Sequence, residues 1–140
     1  MNDHWFLAIR AWRHGFLARR LVVAQGLTDA FAWAAKAPDV STHGTLNLPR
    51  IAKTVNRVVR YGMPRGTCLI RSLVLLRILS EAGCAASLRI GIRLVNSQAL
   101  AAHAWVEIDG IPVNDRPDIA TDFHVVPLDE ALNSRIVLAI

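Results

Sequence analysis

The chain has 140 residues, of which 53% are hydrophobic, and its 16 Lys and Arg against 11 Asp and Glu give a formal net charge of +5. This length predicts a single domain, and the hydrophobic fraction excludes a disordered chain. No apolar run reaches the ~18–20 uncharged residues of a membrane span, and no signal-peptide pattern opens the sequence, so we expect a cytoplasmic protein without a membrane span.

The N-terminal part, from residue 4 to about 36, is predicted to be helical. Gly15 and Gly26 allow a break into two shorter helices. An apolar stripe follows one helix face through Trp5, Ile9, Trp12, Phe16, Val23 and Leu27. The simplest interpretation is that this stripe packs on the protein's own core, while a membrane surface and a partner helix are the alternatives.

A loop then separates this helical arm, about residues 1–48, from the remainder, about 49–140, without marking a second domain. The stretch Pro38 to Pro49 is rich in Asp, Ser, Thr, Gly and Asn, and His43 within it is expected to be solvated. Pro49 suits the first turn of a third helix, which should end near Tyr61 and Gly62, before the next proline.

The stretch from Gly66 to Leu79 predicts a buried helix that carries Cys68 in its first turn, because apolar residues occupy almost every angular position. Thr67 is the candidate N-cap, and Gly83 suits a left-handed cap at the other end. Free N–H groups and the positive end of the helix dipole favour a thiolate at Cys68. Cys84 is predicted to be core, and the intervening helix holds the two cysteines too far apart for a disulfide.

After Gly83 the hydrophobic period changes from helical to alternating, which predicts strands over Leu88–Leu94 and Ala101–Ile108. The Asp-Gly pair that follows is a strong hairpin signal, and the chain should return as a third strand over Ile111–Asp115. Further along, Phe123–Pro127 is a candidate short strand. The final segment, residues 128–140, fits either a helix or a strand.

Three residues in this arrangement can form a catalytic triad. A helix-borne Cys68, a strand-borne His103 and Asp115 on the adjacent strand follow the order of a cysteine peptidase or a transglutaminase-like enzyme. The imidazole takes the thiol proton and returns it to the leaving amine, while the carboxylate orients the imidazole. Arg71, one helical turn from Cys68, is a candidate to bind substrate. Trp105 lies on the same face of the strand as His103; it is a second candidate to bind substrate and would shield the imidazole from water.

The hairpin register decides whether this triad can form. A two-residue turn would place Asp115 on the sheet face opposite His103 and leave Asn114 as the candidate orienting group. A three-residue loop, with Gly110 in the left-handed region, sets His103 opposite Asp115 instead. Because the triad needs the second register, we predict the three-residue loop and a positive φ at Gly110.

Three motifs add a family resemblance: Cys68–Leu73 (CLIRSL), Leu88–Arg93 (LRIGIR) and Ala102–Glu107 (AHAWVE). Over about residues 50–116 the sequence resembles the stand-alone leader peptidases of lasso-peptide biosynthesis, the transglutaminase-like B proteins. The resemblance implies an α+β fold of the papain/transglutaminase type, in which N-terminal helices precede a central Cys-bearing helix packed on a small antiparallel sheet. It also implies removal of the leader from a precursor peptide, with Cys68 as nucleophile, His103 as base and Asp115 as orienting acid.

The same resemblance implies the partners. These are the precursor peptide, a separately encoded leader-recognition protein and, as a further candidate, the lasso cyclase; the exposed part of the stripe at Trp5, Trp12 and Phe16 is the predicted docking surface. The excess of basic over acidic residues would suit an acidic partner or peptide. The arginines are spread along the chain and form no aromatic-basic motif of a nucleic-acid-binding module, so no nucleic-acid partner is expected.

Two alternatives remain open at this point. One is a non-catalytic transglutaminase-like binding or scaffold subunit. The other is a general amidase or acyltransferase with the same triad, because acyl transfer to water and to an amine use the same acyl-enzyme. No metal or other cofactor is expected, since Cys68, Cys84, His103 and His124 lack the paired close spacing of metal ligands.

Overall fold

The computed structural model of the chain describes residues 3–38 and 44–134, which form five α-helices, one short 3₁₀-helix and a four-stranded antiparallel sheet. The helices are α1 (Asp3–Ala24), α2 (Leu27–Ala35), α3 (Leu48–Gly62), α4 (Cys68–Glu81) and α5 (Leu128–Asn133). The strands are β1 (Ser87–Asn96), β2 (Ala99–Ile108), β3 (Ile111–Pro112) and β4 (His124–Val126), and the 3₁₀-helix is Ile119–Thr121. The predicted α+β class is confirmed.

Several boundaries differ from the predicted ones. The third strand is shorter, ending at Pro112, and α5 settles the ambiguous final segment as helix as far as Asn133. His43 and the residues after Ser134 lie outside the described residues. In the described ranges, no helix is both long and apolar enough to cross a membrane.

The break in the N-terminal arm occurs at Gly26 alone, where φ is +93°. Gly15 lies inside α1 and is buried, and a Cβ atom there would collide with the sulfur of Met63, which follows the end of α3. The glycine therefore permits close packing of α1 on α3 rather than a helix break.

The prediction that the apolar stripe packs on the protein's own core holds for Leu27, which is 4% exposed, but is wrong for the stripe residues on α1. The helix buries its small residues, Ala11, Gly15 and Ala18, and turns the large residues of the stripe outward, so that Trp5 is 68% and Val23 80% exposed. Small inward side chains let α1 approach α3 and α4 closely, and that close approach leaves no room for bulky ones. The exposed stripe face consists of Trp5, Ile9, Trp12, Phe16 and Val23.

Helix α4 is the centre of the fold, with α1, α2 and α3 around it and the sheet on its remaining side. Its N-cap is Thr67, whose Oγ1 accepts from the N–H of Ile70 at 3.3 Å, as the sequence predicts. At the other end Gly83 has φ +72°, and the N–H of Cys84 donates to the carbonyl of Leu79 at 2.9 Å. Those contacts form a Schellman cap. Cys84 packs partly buried against the core as a free thiol.

The sheet has the strand order β3-β2-β1-β4. One face supplies Leu88, Ile90, Ala104 and Val106 to the core beside α4. The opposite face carries His103 and Trp105 on β2, which pair with Gly91 and Arg89 on β1. This register fixes the surroundings of the candidate base.

The β2–β3 hairpin has a two-residue turn, so the predicted three-residue loop is wrong. Ile108 pairs with Ile111, and the turn residues Asp109 and Gly110 have φ +50° and +78°. The positive φ at Gly110 is confirmed. Two consecutive left-handed residues are typical of a type I′ turn, whose twist matches that of the flanking strands, and Asp-Gly is a favoured sequence for it.

Candidate active site

Cys68 occupies the first position of α4 and is partly buried beside His103 and Ala104. Burial raises the pKa of the Cys68 thiol, but the hydrogen bond with the His103 side chain, the backbone contact with Ala104 and the charges of His103 and Arg71 outweigh it. The pKa of Cys68 is therefore lowered below its ordinary value. A lowered thiol pKa favours the nucleophilic thiolate.

His103 lies between the thiol and a carboxylate. Its Nε2 is 2.6 Å from Oδ2 of Asp115, so Nδ1 is the ring nitrogen left to face Cys68. The hydrogen bond with Cys68 raises the pKa of His103, burial lowers it, and Asp115 raises it further, so that the net pKa lies above the ordinary value. Opposite shifts on thiol and imidazole favour a thiolate–imidazolium pair.

Asp115 reaches His103 although the strand register alone would turn it away. The N–H of Val113 still donates to the carbonyl of Val106 at 2.9 Å, as in a regular ladder. The N–H of Val106 donates instead to Oδ1 of Asn114, also at 2.9 Å. The side chain of Asn114 thus replaces a backbone carbonyl of the ladder, the chain bends away from β2, and Asp115 comes to lie against the imidazole.

Asn114 is held from two further directions. Its Nδ2 donates to Oγ of Ser72 on α4 at 3.2 Å, and that hydroxyl donates to the carbonyl of Ala104 at 3.1 Å. The carbonyl of Asn114 accepts from Nδ2 of Asn56 on α3 at 3.2 Å. Asn114 therefore positions the orienting acid and does not itself contact the imidazole, in contrast to the role considered for the two-residue turn. Sequence reasoning missed Ser72 and Asn56, whose contacts join distant segments.

Two aromatic rings enclose the imidazole. The ring of Phe123 stacks on His103 at a centroid distance of 5.3 Å, and that of Trp105 lies 6.0 Å away. Trp105 is 0% exposed, and its Nε1 donates to Oε1 of Glu107 at 2.9 Å. These contacts support the shielding role of Trp105, while its substrate contact stays a prediction. For Phe123, a place in a short candidate strand was the one signal in the sequence.

The arrangement can be compared with known families. A family model described as the transglutaminase-like superfamily matches residues 7–127 and so includes all three triad residues. The chain belongs to the transglutaminase-like superfamily. No curated protein and no solved structure gives a significant match.

Membership of the transglutaminase-like superfamily agrees with the chemistry of the site, since its fold is of the cysteine peptidase and acyltransferase type. The first N–H groups of a helix have no intrahelical carbonyl partner, so the backbone N–H of Cys68 can donate to an oxyanion. In the part of the chain that the structure describes, no three His, Cys, Asp or Glu side chains are grouped to hold a metal ion. His124, at the start of β4, is exposed.

Arg71 of this transglutaminase-like site lies one helical turn after Cys68, and its charge contributes to the lowered thiol pKa. It also borders a groove of about 300 Å³ whose wall includes Asp115 and, on α3, Arg57 and Arg60. The predicted contact of Arg71 with substrate stays a prediction, which its place in this groove supports.

Proposed function

We propose that the protein is a cysteine peptidase that removes the leader from a ribosomally made precursor peptide during lasso-peptide maturation. The observation that carries the peptidase part is the arrangement of His103 beside Cys68 and hydrogen-bonded to Asp115, with the thiol pKa lowered and the imidazole pKa raised. The resemblance of the three motifs to lasso leader peptidases supports the choice of substrate.

In this mechanism the thiolate of Cys68 attacks the scissile carbonyl carbon and forms a C–S bond. The developing oxyanion accepts a hydrogen bond from the backbone N–H of Cys68. Nδ1 of the His103 imidazolium gives its proton to the leaving amine as the C–N bond breaks, which leaves a thioester. His103 then takes a proton from water, the hydroxide attacks the thioester, and the regenerated thiolate leaves with the imidazolium restored.

Asp115 keeps the imidazole oriented throughout. Its Oδ2 faces Nε2 of His103, and its Oδ1 accepts from the backbone N–H of Arg116 at 2.8 Å, so the carboxylate is fixed at both oxygens. The stacked rings of Trp105 and Phe123 limit the access of water to the imidazole on its buried side. A carboxylate at this position stabilises the imidazolium that is present before acylation and forms again in deacylation.

The proposal includes a separately encoded leader-recognition protein that presents the precursor peptide, and the lasso cyclase as the recipient of the cleaved core. Exposure of Trp5, Trp12 and Phe16 on the stripe face supports this face as the docking surface, since large exposed apolar patches mark interaction sites. We place the reaction in the cytoplasm, where a nucleophilic thiol stays reduced.

The test is to incubate the purified protein with a candidate precursor peptide and a separately encoded leader-recognition protein, and to measure the masses of the products. The proposal predicts two fragments whose masses sum to the precursor plus one water, and an uncleaved precursor with the Cys68→Ala variant. An intact precursor with the unaltered protein would contradict it.

The same assay separates the alternative reactions. Methylamine is added as a competing acceptor: an acyltransferase would yield mainly the methylamide, whereas a hydrolase yields mainly the acid. A general amidase would differ from a leader peptidase by cleaving amide bonds other than the one between leader and core. A non-catalytic scaffold subunit would give neither product, and the complete triad argues against that alternative.

A further inference from the structure

Helix α3 presents a row of cations to solvent. Arg50, Lys53, Arg57 and Arg60 recur at intervals of three and four residues, which places them on one helix face, and all four are exposed. Across the described ranges none of them takes part in an ion pair. These four residues are called the basic row below. Like charges on successive helical turns repel each other, so the basic row destabilises the helix slightly and is not explained by helix formation.

The basic row borders two grooves that meet on α3. The groove at the active site, about 300 Å³, is bounded by Arg71, Asp115, Arg60, Arg57 and Lys53 among others. The second groove, about 380 Å³, is bounded by His4, Pro49, Arg50, Lys53 and Arg57 among others. Lys53 and Arg57 line both grooves, so the exposed basic row links the groove at Asp115 to the groove at the start of α3. This basic surface, from Asp115 to the start of α3, is called the path below. Its one acidic wall residue, Asp115, is already hydrogen-bonded to His103.

We propose that this path binds an acidic segment of the peptide substrate, on one side of the scissile bond. The inference rests on the proposed peptidase function and specifies the substrate class that this function takes. Guanidinium groups bind carboxylates in a paired, charge-assisted geometry, and three of the four cations in the basic row are arginines.

Helix geometry sets the length of the segment. From Arg60 to Arg50 a rise of about 1.5 Å per residue gives a row about 15 Å long. An extended peptide covers this distance in about five residues at roughly 3.3 Å each. The acidic side chains therefore occupy about five consecutive residues of an extended segment.

A nucleic acid would also be attracted to a basic row, but the position of the path favours a peptide. The path leads to Arg71 and Asp115, beside a thiol and an imidazole whose chemistry requires an acyl carbon. A peptide supplies that carbon and carboxylates in one chain, whereas a nucleic acid supplies only the charge.

The test uses the full chain with Cys68→Ala, so that binding is measured without cleavage. Fluorescein-labelled hexaglutamate and hexaglutamine are titrated by fluorescence anisotropy at low and high salt. The proposal predicts salt-sensitive binding of hexaglutamate, and a loss of about tenfold or more in Lys53→Glu/Arg57→Glu, since opposite charges replace the attractive ones. The control Arg13→Glu/Arg20→Glu makes the same change in net charge on α1 and should lose far less. Circular dichroism of every variant checks that it is folded. If Lys53→Glu/Arg57→Glu misfolds, the single variant Arg57→Gln replaces it in the comparison of hexaglutamate binding.

Three outcomes would overturn the inference: no binding of hexaglutamate, equally tight binding of hexaglutamine, or equal losses in the two charge-reversed variants. The last would mean a general attraction by net charge. Tighter binding of a fluorescein-labelled deoxythymidine hexamer that also depends on Lys53 and Arg57 would assign the row to nucleic acid. All of these results are independent of precursor cleavage, so they stand apart from a failure of the proposed function.

Discussion

Gly91 lies directly opposite His103 in the β1–β2 ladder, and the rings of Phe123 and Trp105 occupy the space that a side chain at position 91 would fill. A Cβ atom there would lie 2.6 Å from Cβ of Phe123 and 3.1 Å from the ring of Trp105. The enclosure of the imidazole therefore depends on a glycine in the neighbouring strand.

Gly91→Ala should reduce kcat and destabilise the protein. The added methyl group forces Phe123 away from the imidazole, and overpacking of this kind costs about 1–3 kcal/mol. Thermal unfolding and cleavage rates measure the two effects. Gly44→Ala is the matched control, since a Cβ atom at position 44 meets nothing within 4 Å. Equal behaviour of the two variants would show that the aromatic enclosure does not hold the base.

Asn114→Ala should impair catalysis by displacing the orienting acid, since it removes none of the three triad side chains. It leaves the N–H of Val106 without its acceptor and releases the bend that carries Asp115, at a cost of about 1–3 kcal/mol. We expect a lower kcat and, because His103 loses its orientation, an upward shift of the pH at which Cys68 is alkylated. Ser72→Ala removes only the supporting hydroxyl and should have a smaller effect on both. An unchanged alkylation profile in Asn114→Ala would contradict the positioning role.

Cys68→Ala and His103→Ala should each abolish leader cleavage while the protein stays folded. Asp115→Ala should retain more activity, because the carboxylate orients the base and does not react. Triad members act as a unit, so the double variant of Cys68 and His103 should be scarcely worse than either single one. Single-turnover kinetics with circular dichroism of each variant measure this, and near-normal turnover by Cys68→Ala would exclude the mechanism.

The pH dependence follows from the two shifted pKa values. The mechanism requires the pKa of Cys68 to lie below that of His103, and the lowered pKa of Cys68 and the raised pKa of His103 both change in that direction. Cleavage should fall as the pH drops through the pKa of Cys68 and again as it rises through that of His103, which gives a bell-shaped profile. Iodoacetamide should alkylate Cys68 well below pH 8, and His103→Ala should move that alkylation to higher pH. The ion pair would be disproved if Cys68 in the unaltered protein and in His103→Ala were alkylated over the same pH range, near the ordinary pKa of a thiol.

Trp12→Glu should separate partner docking from catalysis. The Trp12 side chain is 47% exposed and its ring packs edge-on against Phe16 at 4.8 Å, so the fold should tolerate the change. Stimulation of cleavage by the leader-recognition protein should fall about tenfold or more, as for an aromatic hot spot, while the rate without that protein stays the same. Asp29→Lys, on α2, is a control outside the stripe face. Undiminished stimulation would move the docking surface elsewhere.

Much of the site was predictable because its signals are local. Each of these signals involves only a few neighbouring residues: the helix caps at Thr67 and Gly83, the switch to alternating hydrophobicity at Leu88, and the Asp-Gly turn. They are enough to propose the helix of Cys68 and the strand of His103. The family comparison supports the superfamily that these motifs suggested.

The errors concern contacts between distant segments. The register prediction assumed that Asp115 had to stay in the ladder to reach His103, but a side chain of Asn114 ends the ladder and changes the direction of the chain. Similarly, the helical stripe was assigned to the core because large apolar residues usually lie inside. Nothing in its spacing shows that Ala11, Gly15 and Ala18 are the residues that meet α3 and α4.

The two faces of α1 are consequently open to mutation to very different degrees. On the inner face, Ala11, Gly15 and Ala18 are buried, and a Cβ atom at Gly15 would displace the side chain of Met63, so larger side chains there cost packing energy. On the outer face, aromatic residues stand in solvent and can be exchanged with little effect on folding. One helix thus combines an inner face whose changes are limited by packing with an outer face whose changes are limited by the proposed partner binding and not by folding.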